Sequence, residues 1–352
     1  YYIKRFAGMR SCNVYEHLIE KYNRVFKHTI SDAFVIISLM AWNIIKFFFI
    51  LLFGRRENSI VHIVGYYGST IYFERILVGI SHLLGYHTLY EMRGGGASFH
   101  FNNGSKQYKH FFAATVRLAD YIFSQGLENK PLLDDIAPNK HFFYYPNCVM
   151  REFFPDTYPD KPTDHINLLY FGRISKKKNV DIIIDTFNLL AAKYYNIYLD
   201  IVGNCTEPVY AEEIMHKINV SKYTNRISMH PACDHNKLKG YLSDKHFYLF
   251  PTTEPREGHS NALTEAMAWG IIPVATDMGF NRTIVGNNSL IVEKLSSESF
   301  ASTISQIIES GNIPELSKQA YIRIQNNYTE DIIYNRLKEE YKILFNQLST
   351  NK

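Results

Sequence analysis

Residues Phe250 to Met278 read FPTTEPREGHSNALTEAMAWGIIPVATDM. A buried apolar run ends at Pro251, and a polar turn carrying Glu254, Arg256 and Glu257 follows it. Gly258-His259-Ser260-Asn261 then opens a helix that contains Glu265, and a second apolar run occupies Ile271–Ala275. Strand, turn, helix and strand in this order make one unit of a parallel sheet. The helix start exposes unpaired N–H groups at the positive end of a dipole, a ready place for phosphate, and Gly258 admits a close backbone approach.

Glu257 and Glu265 are eight residues apart. Along a continuous helix that is up to about 12 Å, too far for two carboxyls to share a proton. The spacing suits two carboxylates that grip different hydroxyls of one extended ligand, such as a sugar nucleotide. The competing reading is a solvated turn glutamate followed by an ordinary helix glutamate. His259, a lone polar-turn histidine, is expected to face solvent.

The same alternation continues on either side. Strands are expected at Ser59–Val64, His87–Met92, Tyr121–Ser124 and His141–Tyr145, with helices near Tyr72–Leu84, Ser105–Ala119 and Lys130–Ile136 between them. A proline-punctuated stretch from Pro146 to Pro162 marks a boundary. Beyond it, strands at Ile166–Phe171, Ile197–Val202, Ile227–His230, Tyr248–Pro251, Ile271–Ala275 and Leu290–Val292 alternate with helices at Val180–Lys193, Ala211–Ile218, Asn236–Ser243 and Ala262–Trp269. After Ser296 the pattern is helical. This is α/β: two doubly wound, Rossmann-like domains over 1–150 and 151–330, with a helix over 331–352 that returns to the first domain. Such domains bind ligands beyond the carboxyl ends of their strands, so the expected site is a cleft in which the two domains face each other.

The chain has 352 residues, enough for two sizeable cores. With 38 Lys plus Arg against 34 Asp plus Glu, its net charge of +4 excludes a polyanion-coating protein and an acidic tail, and no nucleic-acid partner is expected. Cys12, Cys148, Cys205 and Cys233 lie too far apart for a metal knuckle or redox pair, a usage that fits a reducing compartment. There is no GxGxxG after a strand, no GxxxxGK[ST], no HExxH, no GxSxG and no Asp-x-Asp. No metal site and no cofactor are expected.

Phe171-Gly-Arg-Ile-Ser-Lys-Lys-Lys-Asn179 carries the second signal. Gly172 and Arg173 stand at a strand's carboxyl end, and Lys178 precedes an apolar-faced helix. A guanidinium fork and a mobile ammonium suit phosphate oxygens, so Arg173 and Lys178 are assigned to phosphate and Lys176 and Lys177 to solvent. In the first half, Glu91-Met92-Arg93-Gly94-Gly95-Gly96 and Gly65-Tyr66-Tyr67-Gly68-Ser69-Thr70 follow strands. Either is a tight turn or a ligand loop. Arg93, Gly94, Gly95, Gly68 and Ser69 are the acceptor-side candidates on the second reading.

Ala33–Phe53, AFVIISLMAWNIIKFFFILLF, is long enough for a membrane span but contains Asn43 and Lys46, and Arg55 and Arg56 follow. Three readings stand: a span, a core helix, and a strand leading into an apolar helix that rests on anionic lipid. No signal peptide is expected at the start of the sequence as given.

At these residues the chain resembles the retaining glycosyltransferases of the GT-B fold, in the large group often called family 4. Glu257 and Glu265 in EGHSNALTE, followed by AMAWGIIPVATD, match the Glu-x7-Glu signature. FGR with Arg173, and Lys178, match the basic pair. Tyr145-PNCVMREFF-Pro155 resembles the Pro-Asn-Gly-Val hinge stretch, with Cys148 at the usual glycine. The resemblance covers roughly 57–345 and is densest over 166–293. It implies transfer of a sugar from a UDP- or GDP-linked donor to a saccharide or lipid-linked saccharide acceptor, with retention, as in capsule or other surface-polysaccharide assembly. It also implies that Arg173 and Lys178 stabilise the leaving diphosphate and that Glu257 binds donor-sugar hydroxyls. Glu265 would bind the ribose, and Gly172, Gly258, His259, Ser260 and Asn261 would line the nucleotide sugar. A cytoplasmic enzyme, peripheral on the inner membrane face, is expected.

Three departures accompany the resemblance. Arg93 replaces the His usual before the glycines, and Thr283 in Gly279-Phe-Asn-Arg-Thr283 replaces a loop carboxylate. The usual first strand and glycine-rich loop are not found before Ile3, and a helix over Cys12–Tyr22 is expected to follow a strand that lies outside this chain. Two other readings remain: a sugar-nucleotide epimerase, and a non-catalytic scaffold that binds nucleotide sugar or a partner.

Overall fold

The computed structural model describes residues 2–7, 30–57 and 59–350. The expected helix Cys12–Tyr22 lies outside the described residues. The chain divides into two units, Tyr1–Tyr145 with Lys338–Lys352, and Pro146–Leu337.

The first unit is built on five parallel strands: β1 (Tyr2–Ala7), β2 (Ser59–Gly65), β3 (His87–Met92), β4 (Tyr121–Ser124) and β5 (His141–Tyr144), side by side in chain order. Tyr2–Ala7 was not expected as a strand, yet it pairs along its whole length with β2, Tyr2 opposite Ser59 and Ala7 opposite Val64. β2, SIVHIVG, is buried at every position because helices cover parallel strands on both faces. His62 interrupts that apolar run with an imidazole, which makes it conspicuous below. Phe47, Leu51, Val61, Ile63, Ile71, Leu77 and Phe112 close one core.

Ala33–Phe53 contains no strand. It lies in a single helix, Ile30–Leu52, whose Phe47 and Leu51 enter that core while Ile37, Trp42, Ile45, Phe49 and the adjoining Phe53 are exposed. Among the described residues, no helix is long and apolar enough to cross a membrane.

The second unit carries six parallel strands: β6 (Ile166–Phe171), β7 (Ile197–Val202), β8 (Ile227–His230), β9 (Phe247–Phe250), β10 (Ile272–Thr276) and β11 (Ile291–Val292). Their order, β11-β10-β9-β6-β7-β8, reverses between β6 and β9. The chain winds outward one way from β6 and then returns to wind the other way from β9. The helices that diverge at such a reversal leave a crevice at the strands' carboxyl ends.

The structure also redraws some boundaries. A short helix, Ala97–Asn103, precedes Lys106–Leu118, and the helix expected over Asn236–Ser243 is only His235–Lys239. The carboxyl-terminal helical stretch is three helices, Ser297–Glu309, Ile313–Asn327 and Glu330–Thr350. Gly311 at φ 68° breaks the first pair. Val149 separates the second, accepting from Glu330 N–H at 3.1 Å and donating to the Tyr328 carbonyl at 2.8 Å.

Candidate functional site

The reversal sets the loop after β6 beside the loop after β9, and every charged residue of the two sequence signals except Glu265 and Asp277 lies on one of them. Gly172 has φ 138°, a conformation that side chains oppose. A Cβ on the neighbouring Gly203 would lie 2.0 Å from the Gly172 carbonyl oxygen, so two glycines let this loop fold tightly over the strand ends. The buried Tyr170 hydroxyl donates to the Arg173 carbonyl at 2.7 Å. Burial, reinforced by the Glu257 charge, pushes the Tyr170 hydroxyl well above its usual range, so it stays a donor. The backbone at Arg173 is thereby fixed while its side chain is exposed, and no ion-pair partner holds it among the described residues.

Lys176–Lys178 form one 3-10 turn, and Asn179 follows at φ 49°. The Asn179 amide donates to the Pro251 carbonyl at 2.7 Å, and Thr253 N–H donates to the Lys177 carbonyl at 2.8 Å. These bonds lace the basic turn to the loop after β9. As a result Lys178 makes a direct ion pair with Glu257, and both side chains are largely buried. Thr252 Oγ1 donates to the same carboxylate at 3.1 Å, and the Lys178 ammonium lies 4.7 Å from the centre of the Phe250 ring. Lys176 is exposed, as expected. Lys177, assigned to solvent, instead pairs with Glu254 at 3.2 Å, although it keeps most of its exposure.

The helix spans Asn261–Ala268, with Ser260 as its cap accepting from Leu263 N–H at 3.4 Å. Glu257 therefore belongs to the turn, and the eight-residue spacing is not one helical run. Gly279, at φ 58°, lies against this turn: a Cβ there would sit 2.0 Å from the Glu257 carbonyl oxygen. Gly258 is half-buried and Asn261 exposed. Asn147 donates to the His259 carbonyl at 2.8 Å and to the Asn261 side chain at 2.7 Å, which ties the helix start to the proline-rich stretch. His259 is not solvated. Its ring is buried, edge-on to Tyr328 with centres 4.8 Å apart, because the turn rolls it inward beneath the helix start. Its side chain therefore faces the interior of the second unit and not the solvent. Burial raises the Glu265 carboxyl above its ordinary value, with His235, 3.7 Å away, opposing the shift.

The first unit treats its candidates differently. Arg93 Nε pairs with the fully buried Glu91, and its guanidinium lies 5.0 Å from the centre of the Tyr145 ring. Glu91 also meets His62 Nε2 at 2.5 Å, and His62 Nδ1 meets the Tyr341 hydroxyl at 2.6 Å. The Tyr67 hydroxyl donates to the carbonyls of Gly94 and Gly95 at 2.5 and 2.7 Å. Glu74 accepts from the Tyr66 N–H at 2.8 Å and from the Tyr90 hydroxyl. Burial pushes the Glu74 carboxyl up. The two glycine loops are thus tied to each other, with Gly68 half-buried and Ser69 exposed.

Sequence reading missed His62, Glu74, Tyr67 and Thr252. The first two had a signal: His62 interrupts an apolar strand, and Glu74 lies on the buried stripe that Ile71, Leu77 and Val78 define. Tyr67 and Thr252 had none, since their partners are distant in sequence or set by the turn. Among the described residues no cluster of His, Cys, Asp and Glu could hold a metal ion.

The model of the family "Glycosyl transferases group 1" matches residues 157–326, which include all of these second-unit groups except Asn147 and Tyr328. This match spans just under half of the chain, and the chain is similar to known proteins beyond it. Over 244 residues the chain is 25% identical to the capsular polysaccharide biosynthesis glycosyltransferase CapM of Staphylococcus aureus, covering 65% of this chain and 62% of CapM. It is 25% identical over 193 residues to a phosphatidylinositol N-acetylglucosaminyltransferase component of Arabidopsis thaliana, covering 55% of this chain and 41% of that protein. The chain thus spans about three fifths and two fifths of these relatives' lengths. Among solved structures, Anabaena Alr3699/HepE in complex with UDP aligns with a TM-score of 0.69 at 14% identity, over 93% of this chain and 88% of that one. That likeness shows the fold, two Rossmann-like parallel-sheet units of the GT-B type.

Proposed function

We propose that the chain is a glycosyltransferase that moves a sugar from a nucleoside diphosphate to a saccharide or lipid-linked saccharide. The observation that carries this reading is Arg173, exposed at the sheet's reversal and without an ion pair among the described residues, beside a Lys178–Glu257 pair that a diphosphate can open. A phosphate oxygen arriving there exchanges a carboxylate for a stronger anion on Lys178 and meets the Arg173 fork as well. Charge that grows on the leaving diphosphate is then met by the Arg173 and Lys178 cations, which lowers the barrier without calling on a metal ion. Released from Lys178, Glu257 keeps its Thr252 bond and is free to accept from sugar hydroxyls. Glu265 accepts from the ribose. Same-face attack, with a phosphate oxygen taking the acceptor's proton, retains configuration.

UDP bound by Alr3699/HepE and the capsular-polysaccharide role of CapM support this donor and acceptor class. The exposed apolar face of Ile30–Leu52, with Lys46 over Trp42 and with Arg55 and Arg56 beyond, supports contact with an anionic lipid surface where a lipid-linked acceptor resides.

Thermal unfolding with UDP, GDP and their sugar conjugates tests the reading. A nucleotide at about 100 times its dissociation constant adds roughly 2.7 kcal/mol, several degrees of midpoint. The expected result is a shift with one base only, lost in Arg173→Ala and Glu265→Ala. Absence of any shift would overturn donor binding. Binding without turnover on any saccharide acceptor would favour the scaffold reading.

A further inference from the structure

Parallel strands are normally covered on both faces and read as unbroken apolar runs. β7, IYLDIV, alternates instead: Ile197, Leu199 and Ile201 are buried, Tyr198 is exposed and Asp200 is half-covered. β8 does the same at Ser228. Register sets Tyr198 opposite Asn167 and Asp200 opposite Ser228, so these polar side chains share one face. At its base lies Lys245, 5% exposed, bound to Asp200 at 2.9 Å and to Asp244 at 2.8 Å. The Asn167 amide donates to Asp244 at 2.8 Å. Tyr195, 88% exposed, rises at the rim. Together they enclose a groove of about 540 Å³ at the amino ends of β6–β9, the end of the sheet opposite Arg173 and Glu257.

We propose that this groove is a second saccharide site, one that holds a stretch of neutral glycan chain away from the reacting end; the inference rests on the glycosyltransferase reading. Its volume falls within the range of about 300–1,000 Å³ typical of ligand pockets. Carboxylates and amides fixed by an ion-pair network accept and donate to sugar hydroxyls without reorganising. The exposed tyrosine rings offer flat apolar faces to the C–H side of a sugar ring. The charges nearly cancel, which speaks against a polyanion. Several aspartates in the lining speak against a protein partner, whose interface cores are depleted in charge.

The test presents the full chain, with saturating UDP or GDP, to a panel of neutral hexose, N-acetylhexosamine and deoxyhexose oligosaccharides and follows binding by saturation-transfer NMR. At least one is expected to bind. Tyr198→Ala should weaken it at least about tenfold. Ser228→Trp, which plugs the groove from an exposed position, should do the same with the thermal midpoint unchanged, and Arg173→Ala should leave it intact. If no member of the panel binds, or if binding survives both groove variants, the proposal is overturned. In that event a retained nucleotide shift would leave the donor reading standing, whereas loss of both would bring down the reading beneath it.

Discussion

At the carboxyl ends of its strands the first unit turns its polar groups on one another. Glu91 holds both His62 and Arg93, Tyr67 caps the Gly94 and Gly95 carbonyls, and Glu74 gathers Tyr66 and Tyr90. The second unit, at the equivalent ends, leaves Arg173 in solvent, while Lys178 and Glu257 close on each other. Topology accounts for the difference. The described strands of the first unit run in order from β1 to β5, so no reversal among them opens a crevice, whereas β6 and β9 part in opposite directions. Glycine-rich loops after strands look alike in sequence. What separates the two units is that the first closes its charges into one buried network, whereas the second leaves Arg173 exposed and without an ion-pair partner among the described residues.

Four variants can break or sharpen this contrast. Glu91→Ala strands a histidine and an arginine in the first core, and breaking such a buried network costs about 3–5 kcal/mol, to be read from urea unfolding. A near-neutral result would mean that the network is dispensable and that Arg93 can turn to a ligand. Arg173→Ala should lower turnover by about 10²- to 10³-fold, the range seen when a transition-state charge partner is removed, while leaving the unliganded melting point where it was. A shifted melting point would place Arg173 among the scaffold residues instead. Thr252→Val removes one hydrogen bond to Glu257, about 1 kcal/mol, and should cost roughly fivefold in turnover; an unchanged rate would mean that Lys178 alone orients the carboxylate.

The fourth variant concerns a cation of the second unit outside the crevice. Burial pulls the Lys161 ammonium down to about 7, against the pull of Asp244, while it donates to the Ser243 carbonyl at 3.1 Å. Between pH 7 and the ordinary value of 10.5 the unfolded chain binds a proton that the folded chain has released, so this group's contribution to stability rises with pH across that window and is lowest beneath it. Lys161→Met should therefore be more stable than the parent at pH 6, with the gap closing toward pH 10.5. A gap that stays constant from about pH 6 to 10 would show that Lys161 is not desolvated.

The sequence by itself determined the parallel α/β class, most strands to within a residue, and Arg173, Lys178, Glu257 and Glu265 as the groups to watch. Those features are local: alternation of apolar runs, glycine after a strand, and a capping serine before a helix. Only the tertiary structure decided which charges were already partnered. Lys178 and Glu257 meet across 79 positions, and His62 meets Tyr341 across 279, pairings that no periodicity encodes. It also turned His259 inward, because a turn of the same composition can roll either way until Tyr328 packs against it. And it exposed the polar face of β7, whose alternation is plain in Ile197-Tyr-Leu-Asp-Ile201 but gains meaning only when the β6–β7–β8 register leaves that face uncovered.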